Sequence, residues 1–509
     1  MHAATRFAGE PATGPLHTTA SVRAIEHAWL ARLPHGTLME RAARACADAL
    51  EGIARDLPRG TPIIALVGPG SNGGDALLAA LQLRAIGFDC RAWCGPAQPD
   101  AGSEAHAVHA RWKAAGGTFI TRVELLAAAG CGAILIDGLF GIGLARPVFG
   151  EYAEVVTALN SVPCTVLAVD VPSGIDADTG AVVGDANGCA LRALATVTMI
   201  ADKPGLHTGA ALDYAGEVSV ADLGTAEHPD PDGLLVTAPW VRERLRTRPA
   251  TSHKGSFGTV CVIGGAEGMR GAALLAGRGA LAAGAGKVYI AGPDGPAFDP
   301  GQPQLMTRDA EEALEGVSAV AIGCGLGTSE AARVLLARSL ASSAALVLDA
   351  DALNQLAATP APATAFCALA VRARRPTILT PHPLEAARLL AVPVAEIARD
   401  RVTAALELAR RSGCVALVKG AGSVVAAPCG AWSINASGSA ALASAGTGDV
   451  LAGMAAALLA QGYSPFEAAA LAAWLHGRAG ECWSATHPRH AGLSAGQLPA
   501  LIVEVLDER

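Results

Sequence analysis

Gly446, Thr447 and Gly448, followed by Asp449 and an apolar run from Val450 to Ala460, form the part of this chain best suited to chemistry. A Gly-Thr-Gly turn at a helix start leaves backbone N–H groups that no helical carbonyl satisfies. With the helix dipole these make a pocket for a phosphoryl oxyanion. Asp449 then falls in the first helical turn, where a carboxylate can take the proton of a hydroxyl as it is phosphorylated. The same residues also suit a plain tight turn with a capping carboxylate.

Further candidates follow strand-like runs. Gly420, Gly422 and Ser423 can wrap a nucleotide phosphate with backbone N–H groups, and Lys419 can supply charge. His253-Lys254-Gly255, Gly264-Gly265 and Gly268 to Ala272 place small residues where a bulky ligand needs room. In the first half, Gly68 to Asp75 leaves one strand and enters a helix, without the Gly-Lys-Ser/Thr of a P-loop or the spacing of a dinucleotide fingerprint. Asp170 closes another buried strand at a candidate cleft and is a candidate acid/base.

The elements that must position these residues alternate as short β-rich runs and Ala-rich helical stretches, an α/β pattern with parallel sheets. Ile63–Val67, Ala133–Ile136 and Thr165–Val169 read as buried strands ending in turns at Gly68 to Asp75, Asp137 to Gly143 and Asp170 to Asp178. Ligands bind at the carboxyl ends of such strands. Gly224 to Asp232 reads as a linker. Beyond it Thr259–Ile263, Ala319–Ile322, Ala345–Leu348, Thr377–Leu379 and Val415–Val418 form a second strand set. With 509 residues, two domains are expected, 1–230 and 239–509.

Composition narrows the class. Mean hydropathy is +0.36, but alanine and glycine produce it, and every apolar run is cut before the roughly 20 residues of a membrane span. Met1 to Pro15 shows no basic-then-apolar leader, so a cytoplasmic protein is expected. The 12 cysteines are scattered through apolar segments, which favours buried reduced thiols over disulfides or zinc. A net charge of −8 offers no basic footprint for nucleic acid.

From about Pro239 onward the motifs resemble the ribokinase-like dehydratase domain of the bifunctional NAD(P)H-hydrate repair enzymes. They are Lys254-Gly255 with Gly258, Gly323 to Gly327, Asp349 to Asn354, Thr380 to Pro383 with Glu385, Lys419 to Gly422, and Gly446 to Asp449. From about Ala20 to Leu223 the chain is similar to the epimerase domain of the same family, a Rossmann-like α/β/α sandwich. Ser71-Asn72-Gly73-Gly74-Asp75, Asp137 to Leu144, Asp170 to Gly180 and Lys203 to Leu206 carry that likeness. The family loop reads Asn-Asn-Gly-Gly-Asp-Gly, and this chain departs from it at Ser71 and Ala76.

The resemblance implies that one half interconverts the R and S hydrates of NADH and NADPH, and that the other dehydrates the S form with ADP, giving AMP and phosphate. Hydrate-binding positions map to Ser71, Asn72, Gly73, Gly74, Asp75, Gly141, Ile142, Gly143, Leu144, Ala145, Arg146, Pro147 and Asp170 in the first half. In the second they map to Ala272, Gly325, His382 and Asp449, and nucleotide positions to Lys419, Gly420, Ala421, Gly422, Ser423 and Gly448. Asn72, Asp137 and Ser173 match potassium-binding positions, although Asp137 and Ser173 equally suit loop caps, and His382 equally suits a turn cap. K+ for the first half, Mg2+ for the second and a homo-oligomer are expected, with no nucleic-acid or membrane partner. Alternatively, the second half is a ribokinase-like small-molecule kinase for a vitamin precursor, and the first a non-catalytic binding module.

Overall fold

Ile63–Val67 is buried at every residue and alternates between two cores, with Ile63, Ala65 and Val67 in one and Ile64 and Leu66 in the other. Such a strand must have helices on both faces. The computed structural model describes the chain except residues 1–9, 12–13, 56, 59, 226–229, 296, 359–361 and 509. It divides into two compact units, Met1–Leu235 and Val236–Arg509.

In the first unit the parallel strands run in the order Glu217–Ala221, Ala195–Met199, Thr165–Val169, Ile134–Gly138, Ile63–Val67, Cys90–Cys94 and Thr118–Phe119. Chain order reverses between Ile63–Val67 and Ile134–Gly138, and the crevice at that switch point is where open α/β sheets bind ligands. The helices Thr37–Arg55 and Ser71–Ala85 pack on one face, and Arg122–Gly130 and Gly150–Leu159 on the other, giving the expected α/β/α sandwich.

Two boundaries differ from the sequence reading. Ile134–Gly138 runs on to include Asp137, which is therefore a strand residue rather than part of a turn. Ser71–Ala85 is helical throughout, so Asn72 to Asp75 belong to a helix start rather than a loop. The two glycines fit there because they are crowded. A Cβ on Gly73 would stand 2.1 Å from the Gly68 carbonyl oxygen, and one on Gly74 2.7 Å from Met39 Cε. Within the expected linker, residues 226–229 lie outside the described residues. Asp232 at its end is anchored, accepting hydrogen bonds from Thr18 N (2.8 Å) and Oγ1 (3.0 Å). Among the described residues no helix is long and apolar enough to cross a membrane. The cysteines are free, but Cys131, Cys367 and Cys429 are exposed rather than buried.

The second unit carries parallel strands in the order Met306–Thr307, Lys287–Ala291, Thr259–Ile263, Ala319–Ile322, Ala345–Leu348, Thr377–Leu379 and Val415–Val418, continued antiparallel by Val424–Ala426 and Trp432–Asn435. It is the ribokinase-like α/β unit. Helix Thr447–Ala460 lies in backbone contact with helix Arg270–Ala282. A Cβ on Gly453 would meet the Ala276 carbonyl oxygen at 1.8 Å, and one on Gly279 the Val450 carbonyl oxygen at 2.3 Å. This contact fixes the start of the Asp449 helix against the second half of the helix that bears Ala272. Gly453→Ala is expected to cost about 1–3 kcal/mol by overpacking, read as a lower calorimetric melting temperature. An unchanged melting temperature would contradict the contact.

Candidate active sites

At the switch point of the first unit, a cavity of about 960 Å³ is lined by Ser71, Asn72, Asp75, Gly141, Ile142, Gly143, Leu144 and Asp170, with Arg23, Glu26 and Glu104. Eight of the predicted hydrate-binding positions thus meet there. Gly73, Gly74, Ala145, Arg146 and Pro147 do not line it. A larger cavity of about 1230 Å³ in the same unit, beside Arg41, Arg44 and Arg111, contains none of the predicted residues.

Asp170 is buried and adopts φ 68°, a left-handed conformation in which Asp and Asn are the better-tolerated side chains. Its Oδ1 accepts from Met199 N (3.1 Å) and Thr198 Oγ1 (3.3 Å) and pairs with Lys203 Nζ at 2.8 Å. Lys203 is fully buried and also donates to Thr198 Oγ1, Met199 O and Ala201 O. The Asp75 carboxyl is pushed well above the usual carboxylate range by burial first and then by Asp170, Glu26 and Glu104. The site therefore holds one carboxylate paired with a cation beside a carboxyl that resists ionisation.

Beneath the cavity Asp137 is fully buried. Ser173 Oγ and N donate to it at 2.6 and 2.8 Å, and Leu139 N at 3.3 Å. Phe140 N donates to Ser173 Oγ at 2.9 Å. The loop-capping role considered for Asp137 and Ser173 is thus real. Asn72 backs onto the same turn, since a Cβ on Gly141 would lie 3.2 Å from its Oδ1. Its Nδ2 is buried without a partner.

In the second unit Asp449 stands in the first turn of Thr447–Ala460, behind Gly446 in the left-handed region. Burial, then the charge of Asp349, raises its carboxyl to about 6, against the lowering effects of Cys324 and Lys419. Asp349 is held by Lys419 Nζ (2.7 Å) and Thr380 Oγ1 (2.9 Å). A Cβ on Gly448 would lie 3.4 Å from Lys419 Nζ. The cation expected to meet nucleotide phosphate is therefore already committed to a carboxylate beside Gly448. Cys324, Asp349 and Asp449 place ligand atoms within 4.8 Å of one another.

His476 Nε2 lies 2.9 Å from the Thr447 carbonyl oxygen, to which it donates, steadying the turn. Burial lowers its pKa to about 4, so it does this as a neutral ring. Gly325 fits against Ala272, whose Cβ would be 3.1 Å from any Cβ added at Gly325. His382 caps the helix Pro383–Leu390 by accepting from Leu384 N at 3.1 Å, and its Nε2 lies 3.1 Å from Glu385 Oε1. Burial raises Glu385 to about 7. The loop carrying Ala421 and Gly422 closes through Ser423 Oγ, which accepts from Gly420 N (3.1 Å) and donates to Gly420 O (3.0 Å). Lys203, Cys324 and His476 had no assigned role in the sequence reading. Lys203, in its Lys-Pro-Gly-Leu run, and Cys324, within Gly323 to Gly327, stood in motifs that pointed to the sites, and His476 did not.

Comparison with known proteins now bears on both sites. A family model described as NAD(P)H-hydrate dehydratase matches residues 260–501, and one described as YjeF-related protein N-terminus matches 35–205. The bifunctional NAD(P)H-hydrate repair enzyme Nnr of Gloeobacter violaceus is 38% identical, covering 92% of this chain and 93% of its own. That of Escherichia coli K12 is 35% identical over 88% and 86%. The chain belongs to the bifunctional NAD(P)H-hydrate repair enzymes. An ADP/ATP-dependent NAD(P)H-hydrate dehydratase from Bacillus subtilis, solved with ATP and Mg2+, is 35% identical, covers 53% of this chain and 96% of that one, and superposes with a TM-score of 0.47. For a repair enzyme with both halves, the kinase-plus-binding-module alternative falls away.

Asp137 gives a test of the first site's electrostatics. Its pKa of about 6 is set by burial and exceeds that of an unfolded carboxyl. Between about pH 4 and 6 the folded chain keeps a proton that the unfolded chain has lost, so stability falls as pH rises, by about 3 kcal/mol at most. Asp137→Asn, which cannot titrate, is expected to flatten that slope in urea unfolding. A slope equal to that of the wild type would remove Asp137 as its source.

Proposed function

We propose that the first unit interconverts R and S hydrates of NADH and NADPH and that the second dehydrates the S form with ADP, giving AMP and phosphate. The observation that carries the second activity is Asp449, a partly buried carboxyl in the first turn of the helix Thr447–Ala460, behind the Gly446 cap and beside Asp349 and Lys419. Hydroxide is a poor leaving group, whereas phosphate departs readily once the C6 hydroxyl is phosphorylated. Asp449 takes the hydroxyl proton as the oxygen attacks the β-phosphorus of ADP, and the bond to AMP breaks. Gly446 to Gly448 hold the transferring group. Phosphate then leaves from C6, driven by the ring nitrogen, and loss of a proton from C5 completes the C5–C6 double bond of the reduced nicotinamide. Ala272, Gly325 and His382 border the hydrate, and Lys419 to Ser423 the nucleotide. Mg2+ demands oxygen ligands. The Asp349 and Asp449 carboxylates suit it and the Cys324 thiol does not, so the ion would come with the nucleotide phosphates, whose charge it neutralises.

In the first unit Asp170, oriented by Lys203, is the base, and Asp75, whose ionisation burial and nearby carboxylates oppose, is the acid for reversible loss of water at C6. The potassium assignment is supported by the donor chemistry. Asn72, Asp137 and Ser173 offer amide, carboxylate and hydroxyl oxygens around the turn at Gly138 to Gly141. The Asn72 amide already turns its oxygen toward Gly141, while its Nδ2 is buried without a partner. A bound K+ would tie those loops together.

Asp449→Asn is expected to lower ADP-dependent dehydration about 100- to 10,000-fold. The wild-type rate should also fall as pH drops through about 6, because a protonated Asp449 cannot accept the proton. Restored reduced-nicotinamide absorbance from S-hydrate and ADP reads both effects. Near-normal dehydration by the variant would overturn the role. In the first unit, replacing K+ by a bulky organic cation at equal ionic strength should slow R-to-S conversion and leave dehydration of S-hydrate intact. Equal conversion rates in the two salts would remove the metal site.

A further inference from the structure

Arg401 lies outside every motif used so far. It opens the helix Arg401–Ser412, whose first turn is capped by Asp400 through Thr403 N at 2.9 Å. Its guanidinium is pressed against Gly420, the first glycine of the Lys419 to Ser423 loop. A Cβ added at Gly420 would stand 2.6 Å from Arg401 Nε and 3.1 Å from Cζ and Nη2. Any side chain at Gly420 would displace it.

The Nε–H is buried and has no hydrogen-bond partner. Among the described residues no carboxylate pairs with the guanidinium. Burial alone lowers its pKa, with no neighbouring charge contributing. Arg401 as a whole is half-buried, but a guanidinium N–H cut off from water is normally hydrogen-bonded. Arg372, a fully buried guanidinium of this unit, shows the ordinary solution, because its nitrogens donate to the carbonyls of Ser342 and Ala344 and to Thr377 Oγ1. Among the described residues Arg401 Nε has no such partner.

Lys419 does not fill the need for positive charge at this loop, being bound to Asp349. The first amide of the loop, Gly420 N, is already satisfied by Ser423 Oγ. We infer that Arg401 is a binding residue for the phosphates of the nucleotide co-substrate, its planar fork meeting phosphate oxygens across Gly420. This rests on the ADP-dependent reading of the second unit. Gly420 is then glycine because the guanidinium needs the space.

The test is ADP binding by titration calorimetry on the full chain, for wild type, Arg401→Ala and Arg401→Lys, with steady-state KM values for ADP and for S-hydrate. A charge-assisted contact predicts about 10- to 100-fold weaker ADP binding in Arg401→Ala. Arg401→Lys should recover part of that loss, and KM should rise for ADP while that for the hydrate holds. Unchanged ADP affinity in Arg401→Ala would overturn the inference and leave the ADP reading standing. An equal rise in both KM values, not recovered by lysine, would show a packing role and overturn it as well. A wild-type chain that binds neither ADP nor ATP would overturn the inference together with the reading beneath it.

Discussion

A lysine ammonium buried against an aspartate organises the chemistry of each unit. Lys203 holds Asp170 at 2.8 Å and Lys419 holds Asp349 at 2.7 Å. Each pair sits at the carboxyl ends of parallel strands, where desolvation makes any unpaired charge expensive. One cation cannot compensate every acid brought there. The carboxyl left over, Asp75 in one unit and Asp449 in the other, is pushed above its ordinary range. Burial comes first in both shifts, and neighbouring acids that the one cation does not offset add to it.

The geometry around those pairs is enforced by places where a side chain will not fit. Gly453 and Gly279 let two helices meet backbone to backbone, which sets where the Asp449 turn stands. Gly73 and Gly74 do the same for the helix beginning at Ser71, against Gly68 and Met39. The glycines that looked like phosphate loops in the sequence are partly packing devices. That is physically consistent, because a backbone that must approach a ligand must first be allowed to approach its own neighbours.

Strands buried on both faces were legible in the sequence because they read as unbroken apolar runs. Ile63–Val67, Thr259–Ile263 and Val415–Val418 stand where they were expected. Asp449 and Asp170 were legible because each closes or opens an element beside glycines or a polar turn. Asp137 was misplaced by the polarity of its side chain, since a carboxylate reads as a turn until Ser173 is seen to satisfy it from 36 residues away. His476 and Arg401 had no local signal at all, and Cys324 was hidden among the glycines of Gly323 to Gly327. Their roles come from contacts across the sheet, and a one-dimensional pattern does not record them.

The backbone of Asp170 has a consequence for how this position can change over time. Its φ of 68° suits few residues, and its side chain is clasped by Lys203. Asparagine and glycine tolerate that backbone, but neither supplies a negative oxygen to the ammonium. Glutamate supplies the oxygen but strains the chain and lengthens the reach. Every single-residue path away from aspartate therefore either leaves a lysine stranded in the interior or bends the strand end. The position behaves as a dead end for drift, and change there has to be accompanied by change at Lys203.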